Sequence, residues 1–494
     1  MRLFDKPMNE TVTEKISQGM LAMSGIYGAG DIHAAADLVG QLASDNIETT
    51  RLVFPDQHGI LRGKTVSSRI LPGVFAAGLG IPSTLLLKDT AHKTVFDVWS
   101  GDQVLDGLPE KGAGDLLMVP LPESCRTVPW SPHSSIVMCD LVHRSGATVP
   151  FSSRSVLQSA VESLAKAGYV ATFGLEVEFQ VFERLDDSLE HDQATMPPSA
   201  IRTRNLTQGW QYLTETRYGE VEELLDTLRR HAEALGLEPR SMEIEMGPSQ
   251  FEFTFEASDP LEQADRYVLF RTLVKEVCQR RGLHASFMAK PRFANSAANG
   301  WHIHQSLSSK EFKRNVFTPG SADTLTDEAS GWISGLLTHA RSSCLLTTPT
   351  VNGYKRYTPY QLAPNRIQWG TDNRGAMIRA LLYPGDESSR IENRAPDTSA
   401  NPYFAMAAQL LAGLDGIKRG AAAPPMTLTP YDESAEKLPS SLIEAIEAFE
   451  SSALFKESLG EEFVRYLAHI KRSEWERYLA HISEWEQDEY FGLY

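Results

Sequence analysis

The sequence predicts an α+β protein of more than one domain, and three observations lead there. The chain has 494 residues, enough for two to four domains at roughly 100–200 residues each. Its composition, 42 % apolar and 22 % charged, is ordinary for a chain that buries a large core. Segments with a helical apolar period and segments with a strand-like period are interspersed along it.

In chain order, Ile16, Met20, Leu21, Ala35, Leu38, Val39 and Leu42 recur at helical spacing and predict helix across 12–45. Segments 50–56 and 60–66 flank Gln57-His58-Gly59 and predict a hairpin with a glycine-containing turn. The proline-rich stretch 119–132 reads as a domain boundary. An amphipathic helix is expected at 152–167, feeding a strand at 169–182. Another helix is expected at 220–235, with strands at 241–256 and 299–307. The last 55 residues read as charged helices carrying a near-repeat, Arg465-Tyr-Leu-Ala-His-Ile470 and Arg477-Tyr-Leu-Ala-His-Ile482, expected on surface helices without a function.

Forty-seven Lys and Arg against 64 Asp and Glu give a formal net charge of −17. That balance argues against a general nucleic-acid binder or an anionic-membrane binder. The four cysteines (Cys125, Cys139, Cys278, Cys344) are scattered without Cys-x-x-Cys spacing, so a reduced, cytoplasmic protein with neither a disulfide framework nor a cysteine metal site is expected. Apolar runs stay well short of the 18 or so residues of a membrane span, and the N-terminus is polar.

The chemistry sits in strand-like segments whose charged residues are two apart, hence on one face. Glu176 and Glu178 form one such pair, His302 and His304 another, and Glu392 stands between Arg390 and Arg394. Any one of these is ordinarily the wet face of a strand; three in one chain, each among apolar residues, are harder to dismiss. Glu245 and Glu252 are seven apart, which would put them on opposite faces of a single strand, but Gly247-Pro248 between them can turn the chain so that both converge. Carboxylates gathered alone repel; a divalent cation removes that cost, and four or five Glu with a His suit Mg²⁺ or Mn²⁺, in number enough for two ions. Seven cations between 350 and 394, among them Lys355, Arg356, Arg366, Arg374, Arg379, Arg390 and Arg394, predict a local anion site. Metals facing arginines are what phosphoryl transfer from ATP needs. A Walker-type phosphate loop is absent, so the nucleotide site is of another kind.

Glu176-Val-Glu178, Glu245…Gln-Phe-Glu252, Asn299-Gly-Trp-His302-Ile-His304-Gln-Ser306, Lys355-Arg356, Asn373-Arg374…Arg379 and Arg390-Ile-Glu392-Asn-Arg394…Asn401-Pro402-Tyr403 resemble, in order and spacing, the glutamine synthetase family over residues 50–494. The resemblance implies a β-grasp-like domain at 46–125 and a catalytic domain at 126–494, built on a curved antiparallel sheet flanked by helices; the periodicity before them leaves 1–45 as an N-terminal helical extension. It also implies rings of subunits, commonly dodecamers, with active sites shared between neighbours. Carried over by position, Glu178, Glu245 and Glu252 would hold one metal ion and Glu176, His302 and Glu392 a second. Arg374, Arg379 and Arg390 would contact ATP phosphates, with His304 and Ser306 near the nucleotide. Arg356 and Arg394, beside Gly300 and His302, would bind L-glutamate. ATP would phosphorylate the γ-carboxylate, and an amine would attack the acyl phosphate.

The departures bear on that amine. Where ammonia-using relatives carry a Glu six residues after the matched arginine, this chain has Leu362. Their ammonium-binding Asp has only Asp89 as a counterpart. Ammonium needs several acceptors to compete with water. An alkyl or aryl amine is therefore the expected acceptor, a monoamine in preference to a polyamine because further carboxylates are not evident. Plain glutamine synthetase and a non-catalytic ring stay open as alternatives, the latter disfavoured by six intact ligand positions. Tyr431 lies near a modified tyrosine of some relatives, in a different context that counts against regulation there. Glu387 stands where relatives carry a Lys near the nucleotide.

Overall fold

The computed structural model describes residues 8–99, 113–186, 188–322, 324–358 and 362–494. Two sheets organise it. The first contains β1 (Thr49–Pro55), β2 (Leu61–Ser67), β3 (Leu79–Pro82), β4 (Asp115–Pro120), β5 (Arg126–Thr127) and β6 (Ser134–Val142), in the order β2-β1-β6-β4-β3 with β5 paired to β6. β1 and β6 run parallel and the remaining pairs antiparallel.

The hairpin forms where the sequence places it. Asp56 Oδ1 accepts the backbone N–H groups of His58 and Ile60, and Gly59 turns at φ 68°. A Cβ on Gly59 would lie 2.9 Å from Pro402 Cδ, so this turn presses directly on the start of helix Pro402–Lys418. The helical stretch 12–45 is broken into helices Met8–Ser17, Met20–Met23 and Ala29–Ser44. At Gly19 the backbone of Ala76 lies 2.3 Å from where a Cβ would be, and Gly25 adopts φ 74°.

The domain boundary differs from expectation. β5 and β6 belong to the first sheet, which therefore runs past residue 125. The prolines of 119–132 shape short turns between paired strands. What holds β6 is its parallel register with β1, a contact across some 85 residues that no local composition reveals.

The second sheet contains β7 (Tyr169–Arg184), β8 (Thr203–Asn205), β9 (Pro239–Ile244), β10 (Gln250–Phe255), β11 (Leu283–Ser286), β12 (Trp301–Ser309), β13 (Trp369–Thr371), β14 (Ile378–Leu381) and β15 (Arg390–Asn393). Its path is β13-β14-β15-β12-β7-β10-β9, with β8 and β11 also paired to β7. All pairs are antiparallel except β13 with β14. Phe173, Leu175, Val177 and Phe179 of β7 and Trp301 and Ile303 of β12 are buried on one face. Helix Pro260–Arg280 covers that face, with Tyr267 stacked on Trp301 at 4.7 Å and Phe270 edge-on to Phe179. Because strand side chains alternate, the even-numbered residues of β7 and β12 are committed to the other face.

The near-repeat divides. In helix Glu461–Leu479 the first copy is core, with Tyr466, Leu467 and Ile470 buried. In the second, Leu479 and Ile482 are 63 % and 73 % exposed. Only the second copy is therefore on the surface as expected. Among the described residues no helix is long and apolar enough to cross a membrane, and the four cysteines are free.

Candidate active site

Strand register assembles most of the polar face. Glu243 of β9 pairs with Glu252 of β10, which pairs with Glu178 of β7. Two residues along, Glu176 pairs with His302 of β12, and His304 pairs with Glu392 of β15, itself opposite Arg379 of β14. Glu245 joins the row through the turn after β9, where its N–H bonds Gln250 O at 3.0 Å and Ser249 takes φ 58°. The carboxylates seven apart do converge. They line a cavity of about 580 Å³ together with Gly300, Arg356, Leu362, Arg374, Arg379 and Arg394.

The cavity floor has two electrostatic halves. In one, ligand atoms of Glu178, Glu245 and Glu252 lie within 4.8 Å of one another. Burial, aided by the Glu245 charge, pushes Glu178 up to about 8. Burial likewise takes Glu245 to about 7, with Glu243 adding to the rise. Glu252 goes well above the carboxylate range through burial and then the charges of Glu176, Glu178 and Glu245. Three carboxylates short of counter-charge, Glu252 buried and Glu178 and Glu245 half-buried, suit a divalent, oxygen-preferring cation.

In the other half the acids have partners; Glu176 and His302 line the cavity, while His304 and Glu392 are not among its lining residues. Glu176 Oε2 is 2.8 Å from His302 Nδ1 and its Oε1 2.8 Å from His304 Nε2. Burial would raise this carboxyl, but the imidazole hydrogen bonds outweigh it and hold it below the usual range. Glu392, fully buried, accepts from Arg379 Nη1 at 3.0 Å and Arg394 Nη1 at 2.5 Å. Burial is again outweighed, by Arg394 and then the histidines, and Glu392 sits low. The grouping differs in part from expectation: Glu176 clusters with His302 and Glu252, and separately with His304 and Glu392. His302 Nδ1 stands 3.7 Å from Glu392 Oε1. Antiparallel register, which places His304 opposite Glu392, is the reason.

Arg356 is 2 % exposed, donates to Ala395 O at 3.0 Å, and its buried Nε has no partner among the described residues. Gly300 N–H donates to Glu178 Oε2 at 2.8 Å; a Cβ there would come within 2.9 Å of His302 Nε2 and 3.1 Å of Glu178 Oε1, so only glycine keeps this corner open. Arg374 is exposed at the cavity edge, its carbonyl accepting from Arg394 Nε.

Some sequence candidates lie elsewhere. Arg390 donates to His304 Nδ1 at 3.1 Å and is outside the lining, as is Ser306, paired with Thr172 further along β12. Asp89 is not brought to the cavity of its own chain. Its Oδ1 accepts from Ala91 and Lys93 N–H groups and its Oδ2 from Arg477 Nε at 2.9 Å, leaving it 2 % exposed and fully occupied.

Sequence reasoning missed one carboxylate and most of one wall. Glu243 lines the cavity, a placement visible only through its register with Glu252. The wall is Trp210, Tyr212, Leu213 and Met246 beside Leu362. Leu362 adopts φ 53°, and Gly209, Trp210 and Leu213 adopt φ 73°, 57° and 54°. Trp210 N donates to Met246 O at 2.6 Å and its Nε1 to Asn295 O at 3.1 Å, and Leu213 N donates to Ile244 O at 3.1 Å. Large apolar side chains in a polar loop were the available signal.

The family model described as "Glutamine synthetase, catalytic domain" matches residues 150–490. A gamma-glutamylanilide synthase of Acinetobacter sp is 36 % identical over 90 % of this chain and 90 % of its own. A glutamine synthetase of Pyrococcus abyssi is 33 % identical over 81 % and 87 %. A solved GmaS–ADP complex superposes with a TM-score of 0.77 at 28 % identity, covering 92 % of this chain and 99 % of that one.

Proposed function

Since the chain belongs to the glutamine synthetase family of ligases, we propose that it uses ATP to join the γ-carboxylate of L-glutamate to an organic amine. The observation that carries the choice of amine is the apolar wall. Leu362, Trp210, Tyr212 and Leu213 stand over the carboxylate floor where an ammonium ion would need acceptors. The likeness to a gamma-glutamylanilide synthase supports it.

Glu178, Glu245 and Glu252 would hold one divalent ion, and Glu176, His302 and Glu392 a second with His304 adjacent. Bound there, the ions supply positive charge against carboxylate and phosphate oxygens. Arg356, whose buried Nε has no partner among the described residues, binds the α-carboxylate of glutamate, and the glycine corner at Gly300 gives the substrate room. Arg374 at the edge and Arg379 deeper in bind the ATP phosphates, with Arg390, His304 and Ser306 on the nucleotide side. Arg394, tied to Glu392, faces the γ-carboxylate. A γ-carboxylate oxygen takes the terminal phosphoryl group and ADP leaves. The amine nitrogen then attacks the carbonyl carbon, loses a proton, and phosphate departs. Arginines fixed in place before reaction stabilise the shifting charge, and the apolar wall keeps water from the acyl phosphate. Among the described residues all that line the cavity fall between 176 and 394, so none comes from the chain's own first sheet; in a ring of copies a neighbour's first sheet would close the cavity.

Glu243 supports a second reading, an amine with a distal ammonium, against the monoamine expected from sequence. Phosphate release from ATP and glutamate with Mg²⁺ or Mn²⁺ tests both, comparing ammonia, ethylamine, isopropylamine, putrescine and aniline. Stimulation by an organic amine above ammonia is expected, and preference for putrescine would select the second reading. Highest kcat/KM with ammonia would make this a glutamine synthetase. ATP binding without release under any condition would make it a non-catalytic relative.

A further inference from the structure

A second cavity, of about 550 Å³, lies between the β1–β2 turn of the first sheet and the helices behind the second. Its body is apolar, with Phe287, Leu346 and Phe404 among its walls. Its charge is one-sided: among the described residues no carboxylate lines it, while Arg271 and Lys275 do. These cations are one turn apart on helix Pro260–Arg280, an arrangement in which like charges repel. Neither makes an ion pair among the described residues. Arg271 donates to the carbonyls of Gly59 and Thr398 and lies over the Tyr267 ring at 4.9 Å. Among the described residues Lys275 donates to Ala285 O, at 3.3 Å. A third lining cation, Lys471, is neutralised by Glu474 at 3.2 Å. Gln57 also lines the cavity, and its Oε1 has no hydrogen-bond partner among the described residues although Gln57 is 2 % exposed.

Two uncompensated cations in a chain of net charge −17, facing an apolar hollow, leave a specific vacancy of charge. We propose that this cavity binds a small carboxylate with an apolar body, its anion between Arg271 and Lys275 and its hydrocarbon or aryl part against Phe287, Leu346 and Phe404. The ligand would bridge the hairpin turn and the catalytic helices, so it binds the assembled chain and stabilises it against heat. The site shares no lining residue with the carboxylate floor.

Isothermal titration of the full chain with 3-phenylpropionate, in saturating L-glutamate and ADP, tests it. One site per chain is expected, with the uncharged isostere 3-phenylpropionamide about tenfold weaker, the worth of one charge-assisted contact. Lys275→Met should weaken 3-phenylpropionate by about the same factor, and Leu346→Trp, which fills the hollow, should abolish binding. Lys275→Met carries the test should the tryptophan variant fail to fold. Competition by glutamate, equal affinity for acid and amide, or unchanged affinity in Lys275→Met would overturn the proposal. Because the readout is binding, failure here is distinguishable from failure of the amine assignment, which is read by turnover.

Discussion

The floor and the wall of the candidate active site are built by opposite means. The floor is mostly regular sheet: every charged side chain but Glu245, which comes from the turn after β9, sits where antiparallel register puts it. The wall is loop, held at Trp210, Leu213 and Leu362 in left-handed conformations that cost a non-glycine residue about 1–3 kcal/mol each. A chemistry common to a family can be fixed by register, because moving any strand by one residue would turn its whole polar row into the core. The choice of acceptor can be left to loops, which change without disturbing that register.

If that division is right, the largest loss comes from the floor. Glu252→Ala should lower kcat with every amine by at least about 10³-fold, equivalent to several kcal/mol of charge stabilisation, with the fold intact by circular dichroism. An equal loss from a wall substitution would break the comparison.

The floor should also couple to pH and metal. Glu178 at about 8 and Glu245 at about 7 lie above the ordinary carboxylate value, so their protonated forms are favoured in the folded chain. Metal-free stability from these groups is present below about pH 4.5 and lost as pH rises through 7 and 8. Mn²⁺ needs the deprotonated carboxylates, so it should release protons on binding at pH 7 and raise Tm more at pH 8 than at pH 6. Scanning calorimetry with and without EDTA checks this; an equal Tm gain at both pH values would show that the three acids do not hold the ion.

The wall should act on selectivity alone. Trp210→Ala is expected to cost about 10–200-fold in kcat/KM for the preferred organic amine, the range of a lost apolar contact, while the ammonia rate changes little. Leu362→Glu should move the ratio towards ammonia. Steady-state assays with both nucleophiles separate the two outcomes. Smallest of all, Glu183→Gln removes a pair with Arg204 on the exposed end of β7, the strand that carries Glu176 and Glu178. It should leave Tm and turnover unchanged within error, since such surface pairs contribute little.

The same contrast governs what could be read in the sequence. Period-two charge pairs at Glu176 and Glu178 and at His302 and His304, and the Gly247-Pro248 turn, are local patterns with one structural meaning. Glu243 became a lining residue only through pairing with β10, and β6 joined the first sheet only through β1. That Arg477 pairs with Asp89 was not legible either, because the two lie 388 positions apart. The wall escaped because its positions depend on left-handed backbone at Trp210 and Leu213, which composition does not announce.

The most direct test of the central claim is a one-pot competition. The enzyme, L-glutamate, ATP and Mg²⁺ are mixed with equimolar ammonia and the five-membered set of alkyl, diamine and aryl acceptors completed by ethanolamine, and the γ-glutamyl products are counted by mass spectrometry. A γ-glutamyl amide of an organic amine outnumbering glutamine is the expected result; glutamine as the main product would contradict it.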